Sequence, residues 1–305
     1  MKLLQFSLPA QGVHAGLLEG DVILDLTSAD PTVETVNDLI NLSYKHKLSL
    51  EEAVKSLIST YRKLMKTYAY RELDVVLDHT VPHLEMPLYP PEVWAFGVTY
   101  QRSADERDRD SSKDIYTRVY YGERPELFFK ATPPRCVGPN GSIGIRRDSK
   151  LTAVEPELAY TLGQDGEIIG YTICNDISAW DIERDNPLYL PQSKIFTGCC
   201  ALGPVLVTPS EIPDPYNLMI SCRIYKGGRL AYEDSVSTAR LNRKFEEMTE
   251  YLTRDNPVPI GTTISTGTGI MVPNDLALSD GDMVEIEIER IGVLRNSVKQ
   301  LGRTL

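Results

Sequence analysis

One dipeptide constrains this chain more than any other: Asp165-Gly166, set between the β-rich runs EPELAYTLG and EIIGYTICND. Asp-Gly is a strong two-residue hairpin turn, because glycine tolerates the positive φ that such turns demand. A two-residue turn fixes the register of the whole hairpin and sets Glu155 opposite Asp176. Residues two apart on a strand share a face, so Glu157 joins them. Three carboxylates are then expected together near the open end of the hairpin.

Like charges facing each other across a sheet repel, so this arrangement requires shared protons or a cation. All-oxygen donors suit a hard ion, Mg2+ first, with Mn2+ or Ca2+ as alternatives. Glu-x-Glu alone would be ordinary solvated strand-end surface. Asp176 in register is what raises a metal site to an equal reading. Histidine use sharpens it, since His14, His46, His79 and His83 all precede residue 88. A His-ligated zinc or iron site in the later part of the chain would need the earlier part to reach across.

The organisation is expected to be α+β. Residues 1–87 read as a small α+β domain, in which Gly20-Asp21 turns a hairpin and Ser49-x-x-Glu52 caps a helix. The proline-rich stretch VPHLEMPLYPPEVW reads as a linker or an irregular edge, and residues 88–305 as a mostly-β domain. One helix is expected there, within ARLNRKFEEMTEYLTRDNP and stopped by Pro257. The charged run from Gln101 to Lys113 is either a solvated face or a lid.

With 305 residues and a net charge of −11, the chain lacks the basic excess that a nucleic-acid binder needs. No apolar run approaches the length of a membrane span, and the start is too weak for a signal peptide. Five cysteines without metal-type spacing read as reduced thiols in a cytoplasmic protein. No GK[ST], GxGxxG or GxSxG motif is present, which removes nucleotide-dependent and triad-hydrolase readings.

Further candidates lie outside the hairpin. Lys194, in LPQSKIFTGCC, either snorkels to the surface or acts as a desolvated base. Glu126 and Lys130 share a strand face in ELFFKA and can form an ion pair. Gly267 and Thr268, in the TGTG turn, offer a cradle for a carboxylate.

PELFFKA, EPELAYTLG, GYTICNDISAWD, PLYLPQSKIFTGCCALGP and ISTGTGI occur in an order that resembles the fumarylacetoacetate hydrolase superfamily. The resemblance implies a mixed β-roll fold, homo-oligomers (dimer or tetramer), metal ligands at Glu155, Glu157 and Asp176, and active-site roles for Glu126 and Lys194. Tyr100, Lys130, Gly267 and Thr268 are the candidate substrate contacts. Hydrolytic members carry a lid His and Glu pair after a GxNY-like stretch. Here GVTYQRSADE has Ser103 at the His position and keeps Glu106. Without an imidazole to activate water, a lyase is expected.

The resemblance implies dehydration of a 2-keto-3-deoxy sugar acid to 2,5-dioxopentanoate and water through a metal-stabilised enolate. Lys194 is assigned as base and Glu126 as the acid that helps the C4 hydroxyl leave, with the exchanged assignment left open. The rivals are an acylpyruvate-type hydrolase or keto-acid decarboxylase on the same metal, and a non-catalytic sugar-acid-binding protein.

Overall fold

The computed structural model describes residues 1–111 and 115–302. Short β-rich runs at the start of the chain form β1 (Lys2–Leu8), β2 (Gly12–Glu19) and β3 (Val22–Asp25). Gly20 at φ +61° turns β2 into β3 and pairs Glu19 with Val22, as the sequence predicts. Two amphipathic helices follow, α1 (Val36–His46) and α2 (Leu50–Tyr61), opened by capping boxes at Thr35 and Ser49. Their apolar faces, with Leu39, Val54 and Leu57, pack on Leu3, Leu17 and Leu24 to form a core of their own.

Next come β4 (Val93–Gly97), α3 (Gln101–Ser111), α4 (Ile115–Tyr121), β5 (Glu126–Ala131), β6 (Pro156–Leu162), β7 (Ile168–Asp176), α5 (Leu190–Lys194) and β8 (Cys200–Val207). The chain ends with β9 (Met219–Lys226), β10 (Arg229–Ser237), α6 (Phe245–Thr253), β11 (Thr263–Ser265), β12 (Met283–Ile288) and β13 (Gly292–Gln300). The charged run from Gln101 is thus helical, although its last residue, Lys113, lies outside the described residues. The helix expected within residues 239–257 is shorter than the pattern suggested, because Lys244 and Arg254 are both extended.

The longer sheet runs β3-β2-β1-β8-β7-β6-β11-β4-β5. A second runs β10-β9-β12-β13 and ends on Ser142–Ile145. Most pairs are antiparallel, but β11 lies parallel to β4 and β13 parallel to Ser142–Ile145, so the architecture is mixed and predominantly β. The longer sheet continues without a break from the N-terminal strands, because Lys2 and Leu3 pair with Val207 and Leu206. Phe6 accordingly belongs to the same core as Ile173, Leu202 and Leu294. No helix among the described residues is long and apolar enough to cross a membrane.

The β6–β7 hairpin reaches the expected register by a different route. The loop is Gln164-Asp165-Gly166, closed by the Gly163 amide donating to the Glu167 carbonyl at 2.8 Å, with Gly166 at φ +77°. This is one residue longer than a two-residue turn. A bulge between Thr161 and Leu162 compensates for the extra residue, so Pro156 still faces Asn175 and Glu157 faces Cys174. The Asp176 amide donates to the Glu155 carbonyl at 2.9 Å, which places those two residues opposite each other.

Candidate active site

At the open end of the hairpin Glu155, Glu157 and Asp176 are 3%, 1% and 1% exposed. One ligand oxygen from each lies within 4.8 Å of the others. Carboxylates this buried need partners, and each has its own. Glu155 Oε1 accepts from Trp180 Nε1 at 2.8 Å and from Arg107 Nη2 at 3.0 Å. Glu157 Oε2 accepts from Ser265 Oγ at 2.5 Å and from the Gly267 amide at 2.8 Å. Asp176 is held between Lys130 Nζ at 2.5 Å and Lys194 Nζ at 3.0 Å.

The electrostatics divide the trio. Burial raises the Glu155 carboxyl, but Lys194 and Arg107 outweigh it and hold the group below its ordinary value. Glu157 has no ion pair among the described residues, and Lys194 acts on it only weakly. Burial, with the charges of Asp176 and Glu155 added, pushes it well above the ordinary range.

Lys194, the last residue of α5, is 2% exposed and donates to Glu155 Oε2 at 3.0 Å, Asp176 Oδ2 at 3.0 Å and Ser178 Oγ at 2.7 Å. Burial alone would lower its pKa. The carboxylates of Asp176 and Glu155 outweigh that and raise it, so the ammonium stays charged. It does not snorkel to the surface. Lys130 does not pair with Glu126 either. The strand pairing of β5 shifts by one residue at its end, and the Lys130 side chain lies in the interior, where Nζ also donates to the Ile177 and Lys194 carbonyls. Its donors are engaged within the protein, beneath the carboxylates.

The TGTG turn serves the protein's own carboxylate, where the sequence suggested a cradle for a ligand. Gly267 sits at φ +89°, and a Cβ there would lie 2.1 Å from Thr99 Oγ1, so only glycine brings this amide to Glu157. Thr268 Oγ1 is used inside the same turn, bonded to the backbone of Ile270. Tyr100 is 1% exposed and its hydroxyl has no hydrogen-bond partner among the described residues. Burial and the nearby Glu157 charge both hold that hydroxyl protonated.

Glu126 opens β5 opposite Gly97 of β4. A Cβ at residue 97 would lie 2.0 Å from Glu126 Oε2, so glycine makes the space this carboxylate occupies. Burial raises Glu126 to about 7, with Arg107 and Lys194 pulling it back and Glu183 pushing it up.

Sequence reasoning missed Arg107, Trp180, Glu183 and Ser265. Arg107 comes from α3, whose buried residues Ser103 and Ala104 mark the inward face. Helical spacing from those two carries Arg107 inward, where its guanidinium spans Glu155 at 3.0 Å and Glu183 at 3.5 Å. Glu106 instead pairs with Arg109 on the outer side. The cluster of metal-type side chains contains no histidine among the described residues. His14 is engaged with Asp25 at 3.0 Å.

The profile described as fumarylacetoacetate (FAA) hydrolase C-terminal matches residues 92–299. The chain belongs to the fumarylacetoacetate hydrolase family. It is 46% identical over 245 residues, 79% of each chain, to 2-dehydro-3-deoxy-D-arabinonate dehydratase of Saccharolobus solfataricus. It is 42% identical over 276 residues to a Haloferax volcanii protein named "Probable 2-keto-3-deoxyxylonate dehydratase", covering 90% of this chain and 91% of that one. A solved structure of 2-keto-3-deoxy-D-arabinonate dehydratase complexed with magnesium and 2,5-dioxopentanoate superposes with a TM-score of 0.82 at 39% identity, over 99% of this chain and 100% of the other. The fold is that of the family's dehydratase structures. The donor set here suits magnesium on its own terms: three buried carboxylates, oxygen only, one of them pushed toward protonation by its neighbours.

Proposed function

We propose that this chain is a magnesium-dependent hydro-lyase that converts a 2-keto-3-deoxy-pentonate, 2-keto-3-deoxy-D-arabinonate first, into 2,5-dioxopentanoate and water. The observation that carries the reading is the end-to-end superposition on a dehydratase holding magnesium and that product, with a buried Glu/Glu/Asp trio in this chain. Glu155, Glu157 and Asp176 would hold Mg2+, which when bound supplies the positive charge that acidifies protons beside a ketone.

The roles of the remaining residues follow from their bonding. The Lys194 ammonium donates to three acceptors at once, which requires its charged form. It therefore fits a fixed cation facing the enolate charge rather than the base assigned from the sequence. Glu126, whose carboxyl sits near neutrality, fits the proton carrier. It takes a C3 proton and returns one to the departing C4 hydroxyl, which leaves as water. The enone that remains has a CH2OH at C5. Loss of a proton from C5, protonation at C3 and ketonisation of the C4–C5 enol give 2,5-dioxopentanoate. Lys130 keeps Asp176 and the end of α5 in place, and Ser103 leaves the lid without the imidazole that would activate water for C–C hydrolysis.

The test is an NMR-monitored incubation of metal-free and Mg2+-loaded protein with 2-keto-3-deoxy-D-arabinonate. Magnesium-dependent appearance of 2,5-dioxopentanoate is expected. No reaction with this acid, beside magnesium-dependent cleavage of an acylpyruvate, would overturn the dehydratase reading and leave the metal site standing.

A further inference from the structure

Glu183 takes no part in the trio, yet it is buried beside it. It lies on the short helix Trp180–Asp185 that follows β7, so the strand that aims Asp176 also fixes Glu183. The residue is 5% exposed. Its Oε1 faces Arg107 Nη1 at 3.5 Å, while its Oε2 is buried with no hydrogen-bond partner among the described residues. A carboxylate oxygen in that position is a costly, strong acceptor.

Glu183 also lines a cavity of about 310 Å³ together with Glu126, Tyr116, Val119, Pro187 and Leu190. Glu126 is common to this cavity and to the charged site, since Arg107, Lys194 and Glu155 all act on it. A 2-keto acid with its keto end at the trio and C3 at Glu126 therefore directs its tail into the cavity. The tail of a 2-keto-3-deoxy-pentonate carries hydroxyls on C4 and C5. The C4 hydroxyl is the leaving group and belongs beside Glu126. The C5 hydroxyl stays on the carbon chain when water departs, and it is a donor without an assigned partner.

We propose that Glu183 is the specificity residue for the tail: its Oε2 accepts a hydrogen bond from the C5 hydroxyl while Arg107 holds its other oxygen. The inference rests on the dehydratase reading and adds to it the part of the substrate that is read beyond the keto-acid end. A carboxylate only accepts, so it rewards a hydroxyl there and leaves a methyl facing an unsatisfied acceptor oxygen.

The experiment compares 2-keto-3-deoxy-D-arabinonate with 4-hydroxy-2-oxopentanoate, which keeps the C4 hydroxyl and lacks that on C5. Wild-type protein is expected to prefer the first by about 10–100-fold in kcat/KM, the worth of a hydrogen bond to a charged group. In Glu183→Leu that ratio should fall to within a few-fold of one. In Glu183→Gln, which keeps an acceptor oxygen, it should be intermediate. A wild-type ratio near one would overturn the proposal, with no variant needed. A ratio unchanged in Glu183→Leu, or equal losses in the Leu and Gln variants, would reduce Glu183 to a partner for Arg107. If wild-type protein dehydrates neither acid, the dehydratase reading has failed. The ratio of the two dissociation constants, measured by calorimetry on Mg2+-loaded protein, then still decides the role of Glu183.

Discussion

The β6–β7 hairpin that carries Glu155, Glu157 and Asp176 is buried along nearly its whole length, flanked by β8 and β11. The α3–α4 cover that brings Arg107 over those carboxylates has, among the described residues, a small core of Val98, Ala104 and Tyr116, with Val119 and Tyr120 against it. Polar contacts do the rest there. Arg107 bridges Glu155 and Glu183, Arg102 pairs with Asp234 at 2.7 Å, and Asp108 accepts from the Tyr116 and Thr117 amides. The floor is positioned by backbone ladders and packing, and the cover by charges that tie it partly to the floor. Geometry on the floor is therefore insensitive to salt and local opening, whereas the cover is the part that can open at small cost.

The harshest way to break the floor is Lys194→Ala. It removes the cation shared by Glu155 and Asp176 and the charge facing a developing enolate, so turnover should fall on the order of 10³-fold. Near-normal kcat in this variant would end the assignment of Lys194. A subtler cut is Gly97→Ala, which touches no proposed ligand. Its methyl must displace the Glu126 carboxylate, and a shift of about 1 Å in a proton carrier costs roughly 10²-fold in kcat. In the wild type, kcat/KM should rise with pH through a limb near 7, because a base must be deprotonated and Glu126 lies at about 7. Bound metal will draw that limb lower. A wild-type profile with no acid limb down to the pH at which metal is lost would remove Glu126 as the base.

The same contrast explains what could be read from the sequence. Strand alternation and the Asp165-Gly166 loop are backbone rules, so they brought Glu155, Glu157 and Asp176 together even though the loop proved one residue longer and a bulge restored the register. Capping boxes placed α2 for the same reason. The cover was illegible because its mean polarity hides a face. Among the residues of α3 whose burial is described, Ser103 and Ala104 mark it, and Arg107 looks like any surface arginine until helical spacing is counted from those two small residues. The partner of the Gly267 amide was illegible for a different reason. A turn's composition says that it can hold an anion, and only the fold says that the anion is Glu157.

The cover is sharpened by Arg107→Lys. The charge survives, but one ammonium cannot reach Glu155 and Glu183 with two fixed nitrogens as the guanidinium does. A loss of about tenfold in kcat/KM is expected, from one charge-assisted hydrogen bond worth about 1.5 kcal/mol. Faster amide hydrogen exchange should accompany it in residues 101–111 and 115–121, with the β6–β7 amides unchanged. Equal loosening of cover and floor would mean that the two are one cooperative unit, and the distinction between them would fall.

The smallest expected effect concerns the floor without its metal. Glu157 has a folded-state pKa raised above its unfolded value, so the metal-free folded protein holds a proton there that the unfolded chain releases at lower pH. Stability then declines as pH rises from the unfolded carboxyl value toward the folded one. Glu155, held low, acts oppositely but only in acid, where its proton would return. Between pH 5 and 8 the metal-free protein should therefore lose thermal stability as pH rises, with a midpoint change of a few °C. Glu126, also raised, adds a slope of the same sign that is not tied to the trio. Saturating Mg2+ should remove the Glu157 share of the slope, because metal binding expels that proton, and calorimetry in buffers of different ionisation enthalpy should register its release. A metal-free protein whose midpoint is flat over this range would show that the trio already shares its charge without a proton. The burial of three carboxylates would then rest on Lys194, Lys130 and Arg107 alone.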